Sequence, residues 1–84
     1  MEIYFDSIKS KLHENLDIEK IEIIDNSYLH KTHKSYSSEK YHLKIIVKSN
    51  FLKSISKIMA HKKIMSILRE DLKNRIHALE ISIK

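Results

Sequence analysis

The sequence predicts an α+β fold of element order α-β-β-α-α-β, a three-stranded mixed sheet covered on one face by helices. Three observations carry the prediction. Apolar residues recur every fourth position near the start, at Ile8, Leu12 and Leu16. Three stretches, 18–25, 40–48 and 76–83, alternate apolar and polar residues as strands do. Between the last two, apolar residues fall at helical spacing.

Taken in order, residues 2–15 form the first helix, with Tyr4 and Phe5 one turn before Ile8, and with Asn15 and Asp17 breaking it. In the first strand Ile21 and Ile23 alternate with Lys20 and Glu22, while Ile24 turns to the other side. Asp25-Asn26-Ser27 is turn chemistry. The connection over 26–39 is long for a small hairpin and holds Tyr28, His30, His33 and Tyr36. Long irregular connections in small domains are often functional. In the second strand Tyr41, Leu43, Ile45 and Val47 share a buried face, and His42, Lys44, Ile46 and Lys48 share a largely wet one.

Ser49-Asn50 caps a short helix with Leu52, Ile55, Ile58 and Met59 on its stripe. A longer helix is expected from about His61 to Lys73, with Ile64, Ile67, Leu68 and Leu72 inward. Asn74 is expected to end it in place of a C-terminal glycine. The last strand, 76–83, opens on His77 and carries Leu79, Ile81 and Ile83 inward, with His77 on their parity. A hairpin joins the first two strands antiparallel, and the helical crossover makes the last pair parallel.

Eighty-four residues make one domain, 1–84. A chain this short buries roughly 60–65% of its unfolded surface, which leaves no room for a sizeable internal cofactor cavity. Any ligand is expected at an edge, or shared with a second protein. The chain has no Cys, Gly or Pro. Disulfides and thiolate ligands are therefore excluded, as are the glycine-dependent phosphate loops. The first residues carry charge and lack a signal-peptide apolar core, and the longest apolar run, Ile45-Ile46-Val47, spans no membrane. A soluble, cytoplasmic protein is expected.

Charge is uneven. Residues 31–63 hold nine lysines and a single acid, Glu39, although the net charge of the whole chain is only +5. A basic middle suits an acidic partner, either a phosphate backbone or an acidic protein face. Catalysis fits poorly. No serine stands beside a base with an orienting acid, and no paired carboxylates project from one motif.

Several landmarks resemble the BolA family, over about residues 8–83. They are Asp25-Asn26-Ser27-Tyr28-Leu29-His30, Tyr41-His42-Leu43-Lys44-Ile45-Ile46-Val47, Ala60-His61-Lys62, Leu68-Arg69-Glu70-Asp71-Leu72 and Ile76-His77-Ala78-Leu79. The resemblance implies a fold like the class II KH fold without its glycine loop. It implies a non-enzymatic protein, monomeric or weakly dimeric when alone. Such a protein shares a [2Fe–2S] cluster with a monothiol glutaredoxin and glutathione, and holds no cofactor when alone. The cluster ligands implied here are His77, from the His-Ala-Leu motif, and a loop histidine matching His30, with His33 as its rival.

The missing thiolates would come from a glutaredoxin cysteine and a glutathione sulfur. Two histidines on one iron would resemble the Rieske arrangement, which raises the reduction potential. The family also includes DNA-binding transcriptional regulators, which is the alternative function. His61, Lys62, Lys63, Lys53 and Lys57 are the candidate contacts to nucleic acid or to a protein partner. The chain departs from the family's usual basic triplet, which reads Ala60-His61-Lys62 here, and from the glycine usual near Ser54. Its first loop is also longer and carries the second histidine.

Overall fold

A computed structural model describes residues 2–27 and 40–84. The elements are α1 (Glu2–Asn15), β1 (Lys20–Asp25), β2 (Tyr41–Lys48), α2 (Asn50–Ser54), α3 (Lys57–Ile67), α4 (Arg69–Asn74) and β3 (Ile76–Ile83). The sheet runs β1-β2-β3, with β2 in the centre. β1 pairs antiparallel to β2, from Lys20↔Lys48 to Asp25↔Leu43. β3 pairs parallel to β2. Fold class and strand sense are thus those the periodicities predict.

Helices cover one face of this sheet. Ile8 and Leu12 of α1, Ile64 of α3 and Leu68 meet Leu43, Ile45 and Val47 of β2 and Ile76 of β3 in one buried cluster. The alternation in β2 accounts for its inner row. Leu43, Ile45 and Val47 are buried, whereas Lys44 and Ile46 on the opposite face stay half-exposed. Apolar burial at about 25 cal/mol per Å² is the main favourable term holding such a small core together.

The crossover departs from expectation in three places. First, α2 stops at Ser54, and Ile55 is already extended. The next helix begins at Lys57, because the Ser56 hydroxyl accepts from the Met59 N–H at 3.1 Å and caps it there. Ile58 and Met59 therefore lie on the first turn of α3, and they face outward, 72% and 49% exposed. They are not part of an inward stripe, and His61 lies within α3 rather than at its start.

Second, the long helix is interrupted at Leu68, whose ψ of 18° turns the chain into α4 while its N–H still reaches the Ile64 carbonyl. The fully buried Leu68 side chain pins that corner. Third, none of the described residues takes a positive φ. Asn74 is thus not a left-handed stop. The helix ends through Arg75, whose N–H donates to the Asp71 carbonyl at 2.7 Å.

A shift of register between β2 and β3 matters most for function. Tyr41 pairs with Ile76, but His42 pairs with Ala78, which leaves His77 as the extra residue of a bulge. The bulge places Ile76 on the inward face together with Leu79, Ile81 and Ile83, opposite Tyr41, Leu43, Ile45 and Val47. In an unbroken strand Ile76 and Leu79 would face opposite sides. His77 accordingly does not share the inward parity of Leu79; it is exposed.

Candidate functional site

His77 stands on the open side of the sheet, at the mouth of the β1–β2 connection. Its ring centre lies 5.0 Å from that of His42, with the two planes tilted by 44°. His42 was expected on a wet face, yet it is only 9% exposed. The reason is local. Across the ladder stands Ala78, whose methyl group leaves space, and the bulged His77 lies against it.

The backbone around His42 is fixed on both sides. Its N–H donates to the Ser27 hydroxyl at 3.1 Å, and its carbonyl accepts from the Asn26 N–H at 2.7 Å. Ser27 is held in turn by a 2.9 Å bond from its N–H to the Asp25 carboxylate. Asn26, His42, Leu43 and Ala78 line a small adjoining hollow of about 190 Å³. His77 thus sits next to the residues from which the 28–39 connection departs. His30 and His33, expected in that connection, lie outside the described residues.

The donor set can be tested against a [2Fe–2S] cluster. The chain has no thiolate. Among the described residues no three His, Asp or Glu side chains gather to hold a metal ion. An exposed imidazole at a sheet edge fits a group held jointly with another molecule, not one enclosed by this chain alone. Imidazole is a suitable ligand for iron, and it binds through one nitrogen while the other carries its proton.

The second candidate surface is the outer side of α3. Lys57, Ile58, His61, Lys62, Met65 and Arg69 line an open groove of about 680 Å³. Lys53, Lys57 and Lys62 are exposed, and Lys63 is half-exposed with its ammonium 6.0 Å from the Phe51 ring centre. His61 is partly buried, and its Nε2 is closed to solvent with no hydrogen-bond partner among the described residues. Ala60, the first residue of the altered basic triplet, is fully buried and could not have presented a charge without repacking. The face is amphipathic, with Ile58 and Met65 between cations.

A third cluster was not foreseen from the sequence. Asp71 of α4, only 8% exposed, accepts from the Tyr4 hydroxyl at 2.6 Å and from Lys11 Nζ at 2.6 Å. Burial is the largest influence on its carboxyl and acts upward. The hydrogen bonds from Lys11 and Tyr4 and the Lys11 charge together outweigh it, so the carboxyl is held below its ordinary value. Burial, then the bond to Asp71 and its charge, push the Tyr4 phenol well above the ordinary value. The Arg75 guanidinium lies 4.2 Å from the Tyr4 ring centre, and Tyr4 stacks on Tyr41 at 5.5 Å. The network ties α1 to α4 and to the start of β2. A signal was present in the sequence: Asp71 occupies a stripe position seven residues after Ile64 and three after Leu68.

The fold and the exposed histidine define a class: a small α+β binding domain, helices on one face, with an imidazole offered at the edge of the other. A model of the family described as BolA-like protein matches residues 12–84. The chain belongs to that family. Among solved structures it is similar to the BolA domain of SufE1 from Arabidopsis thaliana, at 32% identity and a TM-score of 0.77, covering 94% of this chain and 87% of that one. It is similar to BolA1 from Arabidopsis thaliana at 26% identity and a TM-score of 0.76, with the same coverages. It is also similar to the solution structure of BolA1 from Mus musculus, at 26% identity and a TM-score of 0.74, covering 94% of this chain and 62% of that one. Comparison with curated protein sequences gave no match.

Proposed function

We propose that this BolA-like chain is a non-enzymatic partner of a monothiol glutaredoxin, and that it contributes imidazole nitrogen to a [2Fe–2S] cluster carried with glutathione. The observation that carries the reading is His77: exposed by a strand bulge, next to the root of the histidine-bearing connection. A thiol-free chain cannot hold such a cluster unaided, so the thiolates belong to the partner and to glutathione. His77 supplies one nitrogen, and His30 or His33 supplies the second.

A protein partner is favoured over DNA by the α3 face. A phosphate-tracking surface needs cations and few apolar groups, whereas Ile58, 72% exposed, and Met65 stand among the lysines here. Interfaces between proteins combine such apolar centres with charged rims.

Co-expression with a monothiol glutaredoxin tests the reading. The copurified complex should show a visible spectrum and circular dichroism distinct from those of the glutaredoxin alone. His77→Ala should abolish that difference while leaving the melting temperature nearly unchanged, because an exposed side chain contributes within about 0.5 kcal/mol. A spectrum unaltered by the presence of this chain, or by His77→Ala, would overturn it.

A further inference from the structure

We propose that the outer edge of β3 takes an extended acidic peptide as a further strand of the sheet. β3 is an edge strand, since the sheet runs β1-β2-β3. Its far end shows which main-chain groups face outward. The Lys84 N–H donates to the Val47 carbonyl of β2 at 2.7 Å. Main-chain groups of a strand point alternately to its two sides, and the ladder is regular from His42↔Ala78 to Val47↔Ile83. Those of Leu79, Ile81 and Ile83 therefore point away from β2. Such a row of outward N–H and carbonyl groups is a template for another extended chain.

A hollow of about 290 Å³ lies beside that row. Ile81, Ser82 and Ile83 line one wall, and Leu52, Ile55 and two lysines line the other. Three consecutive strand residues belong to both faces of a sheet, so the hollow follows the edge of β3 rather than either face. The opposite wall is the break between α2 and α3, where Ile55 is extended. Ile55, Ile81 and Ile83 are only half-buried there, whereas Ile45 and Val47 of the central strand are fully buried. An apolar side chain of an added strand, pointing toward the helices, would cover them.

Charge selects the occupant. Lys53 and Lys57 stand exposed on the rim of the hollow, and Lys84 is exposed where the strand ends. Glu80, the acid of β3, is matched with Lys44 across the ladder, 3.7 Å between the charged atoms. An acidic strand is thus the complementary one. A second copy of this chain is a poorer fit. Two-fold pairing of β3 centred on Ile81 brings both lysine rims together, and pairing centred on Glu80 sets two carboxylates opposite each other. A single-stranded nucleic acid is a poorer fit too, because the residues lining the hollow include no aromatic ring on which a base could stack. The other edge, β1, carries Lys20, Glu22 and Asp25, charges that guard against strand addition. The hollow lies at the end of β3 away from His77, so the inference does not rest on the cluster reading.

The test titrates the ¹⁵N-labelled full chain with a capped peptide of alternating glutamate and valine, matched in length to β3. The amide signals of Leu79, Ile81 and Ile83 should shift together, and their hydrogen exchange should slow by about tenfold or more, because a bonded amide exchanges only on opening. Exchange at Glu80 and Ser82, whose amides face β2, should change little. The double replacement Lys53→Glu and Lys57→Glu, on exposed side chains, should weaken binding by about tenfold and remove most of its salt dependence. A peptide with lysine in place of glutamate, or one with N-methylated amides, should not bind. Absence of binding, binding that leaves the three amides unmoved, or binding that survives N-methylation or the charge reversal overturns the proposal. So does self-association that protects the three amides with no peptide present, or oligothymidylate that binds at them more tightly than the peptide. No glutaredoxin is added, so none of these outcomes bears on the shared cluster.

Discussion

The Tyr4 hydroxyl and the Asp71 carboxylate, 67 positions apart in sequence, meet at 2.6 Å. This contact, with Lys11 on the second carboxylate oxygen, closes the first helix onto the last. Removing the donor alone is informative. Tyr4→Phe keeps the ring that stacks on Tyr41 and lies beneath Arg75, and loses only the bond. A loss of about 1–2 kcal/mol is expected, since Asp71 still keeps Lys11. Asp71→Asn should cost more, because it also breaks the ion pair. For a domain this size each kcal/mol lowers the melting temperature by about 4–8 °C. Thermal unfolding of the two variants should therefore rank them wild type, Tyr4→Phe, Asp71→Asn.

The same contact sets a pH dependence. The folded Asp71 carboxyl titrates below its unfolded value of about 3.9. Its contribution is therefore present above that value, and is lost as pH falls through the lower, folded one. The gap in urea midpoint between wild type and Asp71→Asn should be constant above about pH 5 and should narrow as the solution is acidified. A gap that widens toward acid would contradict the assignment. Tyr4 acts at the other end. Its phenol is raised above about 10, so its contribution is present below that pH and is lost as pH rises further.

Ser49 joins two parts of the chain through one hydroxyl. It is fully buried, accepts from the Leu52 N–H at 3.0 Å as the cap of α2, and donates to the Asp17 carbonyl at 2.7 Å. Ser49→Ala removes both bonds and leaves the buried Leu52 N–H without that acceptor and the Asp17 carbonyl without that donor. A cost of about 1–3 kcal/mol is expected, above that of an exposed cap. Chemical denaturation with an unchanged slope would show that stability, not compactness, has changed.

How much of this was legible follows from where each residue sits. The inner row of β2 could be read because alternation and burial coincide at Leu43, Ile45 and Val47. The bulge at His77 could not, because parity counting assumes an unbroken ladder. The same assumption placed His42 in water. Its burial comes from a ring 35 positions further along the chain, brought over it by the register shift. Ile58 and Met59 misled for a related reason. Their spacing fits an inward stripe, but the cap at Ser56 starts α3 in a phase that turns them outward. Asp71 was visible as a charge in an apolar row, while its partners on α1 were not. The assignment of His30 or His33 rests on the resemblance, since both lie outside the described residues.

That outward phase of α3 leads to the last prediction, which separates a protein partner from a nucleic acid on one surface. Ile58 and Met65 line the same groove as Lys57, Lys62 and Arg69. All are on the outer side of the helix, so Ile58→Ser, Met65→Ser and Lys62→Gln should each alter stability by less than about 0.5 kcal/mol. Against a monothiol glutaredoxin, the serine variants should weaken binding by about tenfold or more, chiefly through faster dissociation, because desolvated apolar centres carry most interface energy. Lys62→Gln should mainly slow association and reduce its salt dependence. Against duplex DNA the order reverses: Lys62→Gln would lower the salt slope by about one, and the serine variants would change nothing. Binding kinetics measured at two salt concentrations against both partners read all of these quantities. A DNA affinity that depends on Lys62 and ignores Met65, with no glutaredoxin binding at all, would transfer the α3 face from protein docking to phosphate contact.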